Sequence, residues 1–203
     1  YPGLLNLFIR FETLLAGMQY IAFARLGMPY MGVGRNLAYR KSMFLRVKGF
    51  TDLLPLVGGD DDLLVNRYAQ PDNTDTSLGA EALVYSEPKK SWREFFQQKV
   101  RHLKAGQHYR FKHRMVLGLF TLTQAAVWFT GIALLFSAEE WIYALSALLL
   151  RSLVISVTTA LSARRFGQTF EAWTVPFLDI LFVFYYLSTG WVALVSKKVP
   201  WKS

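Results

Sequence analysis

MVLGLFTLTQAAVWFTGIALLFSAEEWIYALSALLLRSLVISVTTALSA, residues Met115 to Ala163, contains two predominantly apolar runs, Met115 to Phe136 and Trp141 to Ala163, parted by a short acidic turn. Each run meets the roughly 20 residues that a bilayer-spanning helix needs. A third run, Thr174 to Ser196, follows a short loop opening with Arg164 and Arg165. The spacing therefore predicts two or three transmembrane helices, with the basic side facing the cytoplasm by the positive-inside rule. Three full spans would place Lys197, Lys198 and Lys202 on the outer side, and a re-entrant or tilted last segment is the alternative. Arg151 falls about 15 Å into the second span at 1.5 Å per residue. It pairs there with Asp179 of the third, or else snorkels toward headgroups beside an interfacial Asp.

Outward from these runs, 53 % apolar and 16 % aromatic residues exceed an ordinary soluble composition. Charge is uneven: residues 1–114 carry 17 Lys/Arg and 10 Asp/Glu, against 6 and 4 in residues 115–203. The division into domains is accordingly set at 1–114 and 115–203. A net charge of +9 admits a nucleic-acid partner, but 9 Lys/Arg lie between Lys89 and Arg114 with Glu94 as the sole acid. That placement, just before the first apolar run, favours anionic headgroups and a membrane over nucleic acid. The absence of cysteine excludes a disulfide framework, a thiolate metal site and a cysteine nucleophile. Three histidines argue against a zinc centre, and no metal ligands are assigned within the chain.

Residues 1–114 read as mixed α/β. Leu4 to Leu26 repeats apolar residues at helical spacing, Asn36 to Arg40 and Ala82 to Tyr85 have the composition of short strands, and Gln70 to Gly79 is a polar loop. Residues 92–109 form an amphipathic interfacial helix. Trp92, Phe95, Phe96, Val100 and Leu103 fall on one side of it, and Gln98, Arg101 and His102 share the other.

Three motifs could carry chemistry. GGDDDLLVNR places Asp60, Asp61 and Asp62 at a predicted helix start, where mutual repulsion can poise one carboxylate as a base, or where all three simply complement the helix dipole. QQKVRH sets Gln98, Arg101 and His102 within reach of one ligand, and a guanidinium fork suits a diphosphate. GVGRNLAYRKSMF lacks the third glycine of a dinucleotide fingerprint, so it reads as a turn lining a site, with Arg35 and Asn36 as contacts and Tyr39 in the core.

In this order, GVGRNLAYRKSMF with KGF, then GDDDLL, then SEPKKSWREFFQQKVRH, then apolar helices, the chain resembles the later half of glycosyltransferase family 2, whose fold is GT-A. The resemblance covers about Pro29 to Arg114. It implies an α/β fold, a partial GT-A domain, followed by α-helical transmembrane segments. Gly34, Asn36, Ala38 and Arg40 correspond to the first family segment, and Gln98 and Arg101 to its Q-x-x-R-W motif, with His102 in place of tryptophan. Aligning on Leu63 makes Asp60 the catalytic base, and matching the acidic pair makes Asp61 the base. The family's nucleotide-binding first half, ending in a D-x-D metal motif, has no counterpart here, so a fragment inactive by itself is expected.

The resemblance further implies an inverting, membrane-bound transferase at the cytoplasmic face of the inner membrane. Its donor would be a nucleotide sugar and its acceptor a lipid or a glycan. A divalent cation, Mg²⁺ or Mn²⁺, would be held mostly by ligands outside this chain. The competing reading is a non-enzymatic membrane anchor or subunit whose basic juxtamembrane helix binds lipid.

Overall fold

The computed structural model describes residues 3–53 and 58–196. Seven α-helices follow one another: α1 (Leu4–Arg25), α2 (Lys41–Arg46), α3 (Asp60–Tyr68), α4 (Trp92–Gly106), α5 (Phe111–Leu134), α6 (Trp141–Arg165) and α7 (Val175–Val195). Short 3-10 turns lie at Gly34–Asn36, Thr51–Leu53, Ala80–Ala82 and Ala172–Thr174.

The expected α/β domain is not there. The chain is 71 % helical, with no strand or sheet among the described residues. The two segments read as strands do have extended backbone, at Leu37 (φ −122°, ψ 126°) and Leu83 (φ −84°, ψ 134°). A strand exists only by sharing backbone hydrogen bonds with a neighbour, and these two meet through side chains instead. Asn36 Nδ2 donates to the Ala82 carbonyl at 2.7 Å, and Arg35 donates to the Ser86 hydroxyl.

The apolar runs become α5, α6 and α7, within a few residues of their expected limits. α5 starts before its apolar run because buried Asn66 accepts the Arg110 backbone N–H at 2.8 Å, a cap supplied from α3. Among the described residues four helices are long and apolar enough to cross a membrane, where two or three were expected, since α1 joins the three later runs. Leu119, Leu122, Leu149, Leu150 and Leu153 stay more than half exposed on α5 and α6. Such an apolar surface is stable against lipid rather than water.

One polar cluster inside these helices is joined across the bundle. Arg151 of α6 is ion-paired with Asp179 of α7 and donates to Gln124 of α5, and the Trp128 indole N–H donates to Asp179 at 2.7 Å. The Arg151 guanidinium lies 5.2 Å from the Trp128 ring centroid. Of the two expected arrangements the intramembrane pair is therefore the one formed. It ties three helices together, as charges in apolar surroundings require.

α4 packs chiefly along α7. Phe95 stacks on Tyr185 at 5.3 Å between centroids, and Phe8 of α1 closes on both rings. Ser91 caps α4 by accepting the Glu94 N–H at 3.2 Å, and the Glu94 carboxylate accepts the N–H of Lys90, the residue before the cap. Toward the far end of α7, Lys104 donates to the Ser196 carbonyl at 2.5 Å and Gln107 to that of Ala193 at 2.9 Å. The end of α7 thus stands beside the α4–α5 turn, at the end of the bundle where α5 begins. Lys197, Lys198 and Lys202 lie outside the described residues.

Candidate functional site

Gly59 adopts a left-handed conformation (φ 79°) and begins α3 without a side-chain cap. A Cβ on Gly59 would fall 2.4 Å from the Ala105 Cβ, so only glycine lets the acidic start of α3 press on α4. The GVGRN turn closes from the other side, where the Gly34 backbone N–H donates to Asp61 Oδ2 at 2.6 Å. There is no room for a side chain on Gly34 either, since its Cβ would meet the same oxygen at 2.8 Å. Two glycines of the sequence motifs thereby bring the acidic run, the turn and the Gln/Arg/His helix into one place.

The three carboxylates differ in their surroundings. Asp60 is exposed, Asp61 half-buried and Asp62 buried. Burial first, and then the Asp61 charge, pushes the Asp62 carboxyl up to about 7, although a hydrogen bond from Tyr109 and the Lys99 charge pull the other way. The Tyr109 and Tyr30 hydroxyls are held protonated, mainly by burial and then by the negative charge of Asp62. Asp62 consequently titrates near neutrality beside a fixed donor.

On α4, His102 keeps an open edge, yet protein surrounds the rest of its ring. That desolvation, and then the Lys99 ammonium, push its imidazole down to about 4, with Asp61 among the charges acting on it. At pH 7 it is a neutral hydrogen-bonding group. Gln98 and Arg101 stand one turn or less before it on the same helix. Arg35 and Asn36 are engaged with the Ala82–Ser86 segment and build the wall behind Asp61.

Glu12 and Lys99 escaped the sequence reading. Both are buried and ion-paired to each other between α1 and α4, and the Tyr186 hydroxyl of α7 donates to Glu12 at 2.9 Å. The signal was there: Glu12 is the only acid in α1, and Lys99 occupies the apolar stripe of α4 one turn after Phe95. A charge in such a stripe needs a buried partner.

Among the described residues, no group of three His, Asp or Glu side chains could hold a metal ion. Asp61 and Asp62 are each committed elsewhere, to Gly34 and Tyr109. The residues present do not fit a cation by themselves.

Helices long enough to span a bilayer, with carboxylates and an imidazole gathered where the polar segments meet them, fit a membrane-associated protein. Residues 7–203 match the family model of glycosyl transferase family 21. The chain belongs to that family, a glycosyltransferase family, and the resemblance to family 2 is corrected accordingly. No curated protein and no solved structure matches the chain.

Proposed function

We propose that the protein catalyses transfer of a sugar, with inversion, from a nucleotide-sugar donor to a lipid or glycan acceptor at the cytoplasmic face of the cell membrane. The observation that carries this reading is the placement of Asp61. It is the one carboxylate of the run that is both oriented, by the Gly34 N–H, and still partly open. Asp61 accepts the proton of the acceptor hydroxyl as that oxygen attacks the anomeric carbon. The new carbon–oxygen bond forms as the bond to the diphosphate breaks, and the electron pair leaves with the nucleotide. Buried Asp62, bonded by Tyr109, fixes the start of α3 behind the base.

Gln98 and Arg101 steady the departing diphosphate, for which a forked guanidinium is suited. Neutral His102 offers a hydrogen bond to the acceptor where the resemblance led one to expect an indole platform. Residues 1–114 supply this polar chemistry and residues 115–203 the membrane part, with any divalent cation taking its ligands mostly from outside this chain. Placing the site at the head of apolar helices lets a membrane-bound acceptor meet a soluble donor. The test is transfer of radiolabelled sugar from a panel of nucleotide sugars in membranes carrying the full-length protein, wild type against Asp61→Asn. Loss of transfer with donor binding retained supports the reading, and equal rates overturn it.

A further inference from the structure

The outward face of α2 takes no part in the candidate site. Phe44 and Val47 turn inward, onto a cluster of Tyr30, Leu53, Leu63, Leu64 and Tyr109. Leu117 of α5 packs against the same cluster, and it is the third residue of the apolar run that starts at Met115. One shared cluster thus fixes α2 beside the start of a helix long enough to cross a bilayer.

Away from that cluster the segment presents Arg40, Lys41, Arg46 and Lys48, with Leu45 63 % exposed and Tyr39 42 % exposed among them. All four cations are exposed, and among the described residues none of them is ion-paired. No acid lies between Arg35 and Thr51. Lys48 is the only non-glycine residue with a positive φ among the described residues, at 59°. The Gly49 N–H donates to the Phe44 carbonyl at 2.8 Å and the Lys48 N–H to that of Leu45 at 3.1 Å, a helix ending whose left-handed position glycine ordinarily fills. Lysine at that position strains the backbone, and what it adds is a fourth cation beside Leu45.

We propose that this face of α2 docks on the surface of a bilayer containing anionic lipid, with Tyr39 and Leu45 in the headgroup layer and the four cations against lipid phosphates. Cations alone suit any polyanion. Cations around an exposed leucine and tyrosine, joined through one cluster to a helix entering its apolar run, suit the layer where phosphates meet acyl chains. The proposal rests on residence of the apolar helices in a bilayer and is independent of the transfer chemistry.

The test places a bimane fluorophore on the same face, at Ser42→Cys, as the only cysteine of the full-length protein in nanodiscs. The discs carry a phosphatidylcholine whose nitroxide lies just beneath the headgroups, either with phosphatidylcholine alone or with added phosphatidylglycerol. Quenching should be about threefold or more stronger in the anionic discs, and salt at about 1 M, which screens charges beyond about 3 Å, should abolish the difference. Arg40→Gln, Lys41→Gln, Arg46→Gln and Lys48→Gln together should also abolish it. An equal loss of charge elsewhere, by Lys90→Gln, Arg93→Gln, Arg164→Gln and Arg165→Gln, should leave most of it. Lys48→Gly, which relaxes the backbone and so is no folding defect, should by itself weaken quenching in the anionic discs about twofold. Equal quenching in the two lipids overturns the proposal, as does equal weakening by the two sets of four or unchanged quenching in Lys48→Gly.

Discussion

Gly34 holds Asp61: its backbone N–H meets Oδ2 at 2.6 Å, and the absence of a side chain on Gly34 is what permits the approach. Gly34→Ala places a methyl group 2.8 Å from that oxygen. The carboxylate must then turn or the 32–36 turn must retreat. Transfer should fall about tenfold or more, roughly 1.4 kcal/mol in the barrier, while membrane insertion is unchanged. A wild-type rate in the radiolabelled-sugar assay would show that Asp61 needs no such anchor.

The folded Asp62 carboxyl titrates at about 7, against an ordinary 3.8. The folded state therefore binds the proton more tightly than the unfolded state does. This contribution to stability is complete below about pH 4 and is lost as pH rises through 7. Asp62→Asn should remove it, so the variant gains on the wild type by a few kcal/mol between pH 4 and 7. His102, pushed down to about 4, acts in the opposite sense over pH 4 to 6.5 in both proteins and cancels in the difference. A pH-independent gap in melting temperature would contradict the shift.

Glu12 and Lys99 pair across α1 and α4 with Tyr186 as a third partner. Removing one charge strands the other in the core, so Glu12→Gln and Lys99→Met should each cost about 3–5 kcal/mol. The double variant should cost less than the two singles together. Simple additivity in equilibrium unfolding would show that the pair is not coupled.

Arg101→Lys keeps the charge and removes the fork, and it should reduce transfer on the order of tenfold or more. Arg93→Lys, on the exposed first turn of the same helix, should leave transfer nearly unchanged. Equal, small effects would assign α4 to lipid attraction rather than to the leaving group.

The helices were readable because apolar length is a local property: α5, α6 and α7 emerge close to where their runs lie, and Arg151 and Asp179 already stood out as charges within them. α1 read as a helix but not as a fourth candidate span, since Arg10 and Glu12 interrupt it. Arg10 is answered by the Thr169 carbonyl at 2.8 Å and by Glu171, and Glu12 by Lys99, all far away in sequence. The strands were misread because β composition at Asn36–Arg40 and Ala82–Tyr85 describes a chain's willingness to extend, whereas a sheet depends on a partner that sequence does not locate. The convergence of Gly34, Asp61 and α4 is likewise nonlocal. What could be read was the glycines, whose missing side chains prove to be the contacts.

The most direct measurement is the single-turnover rate of sugar transfer by the full-length protein in membranes, with donor affinity measured in parallel, for Asp60→Asn, Asp61→Asn and Asp62→Asn. Loss of a general base costs about 10²- to 10⁴-fold. Asp61→Asn should fall by that amount with donor affinity within about twofold, exceeding the loss at either neighbour. Wild-type turnover by Asp61→Asn, or an equal loss in all three, would contradict the assignment of Asp61 as the base.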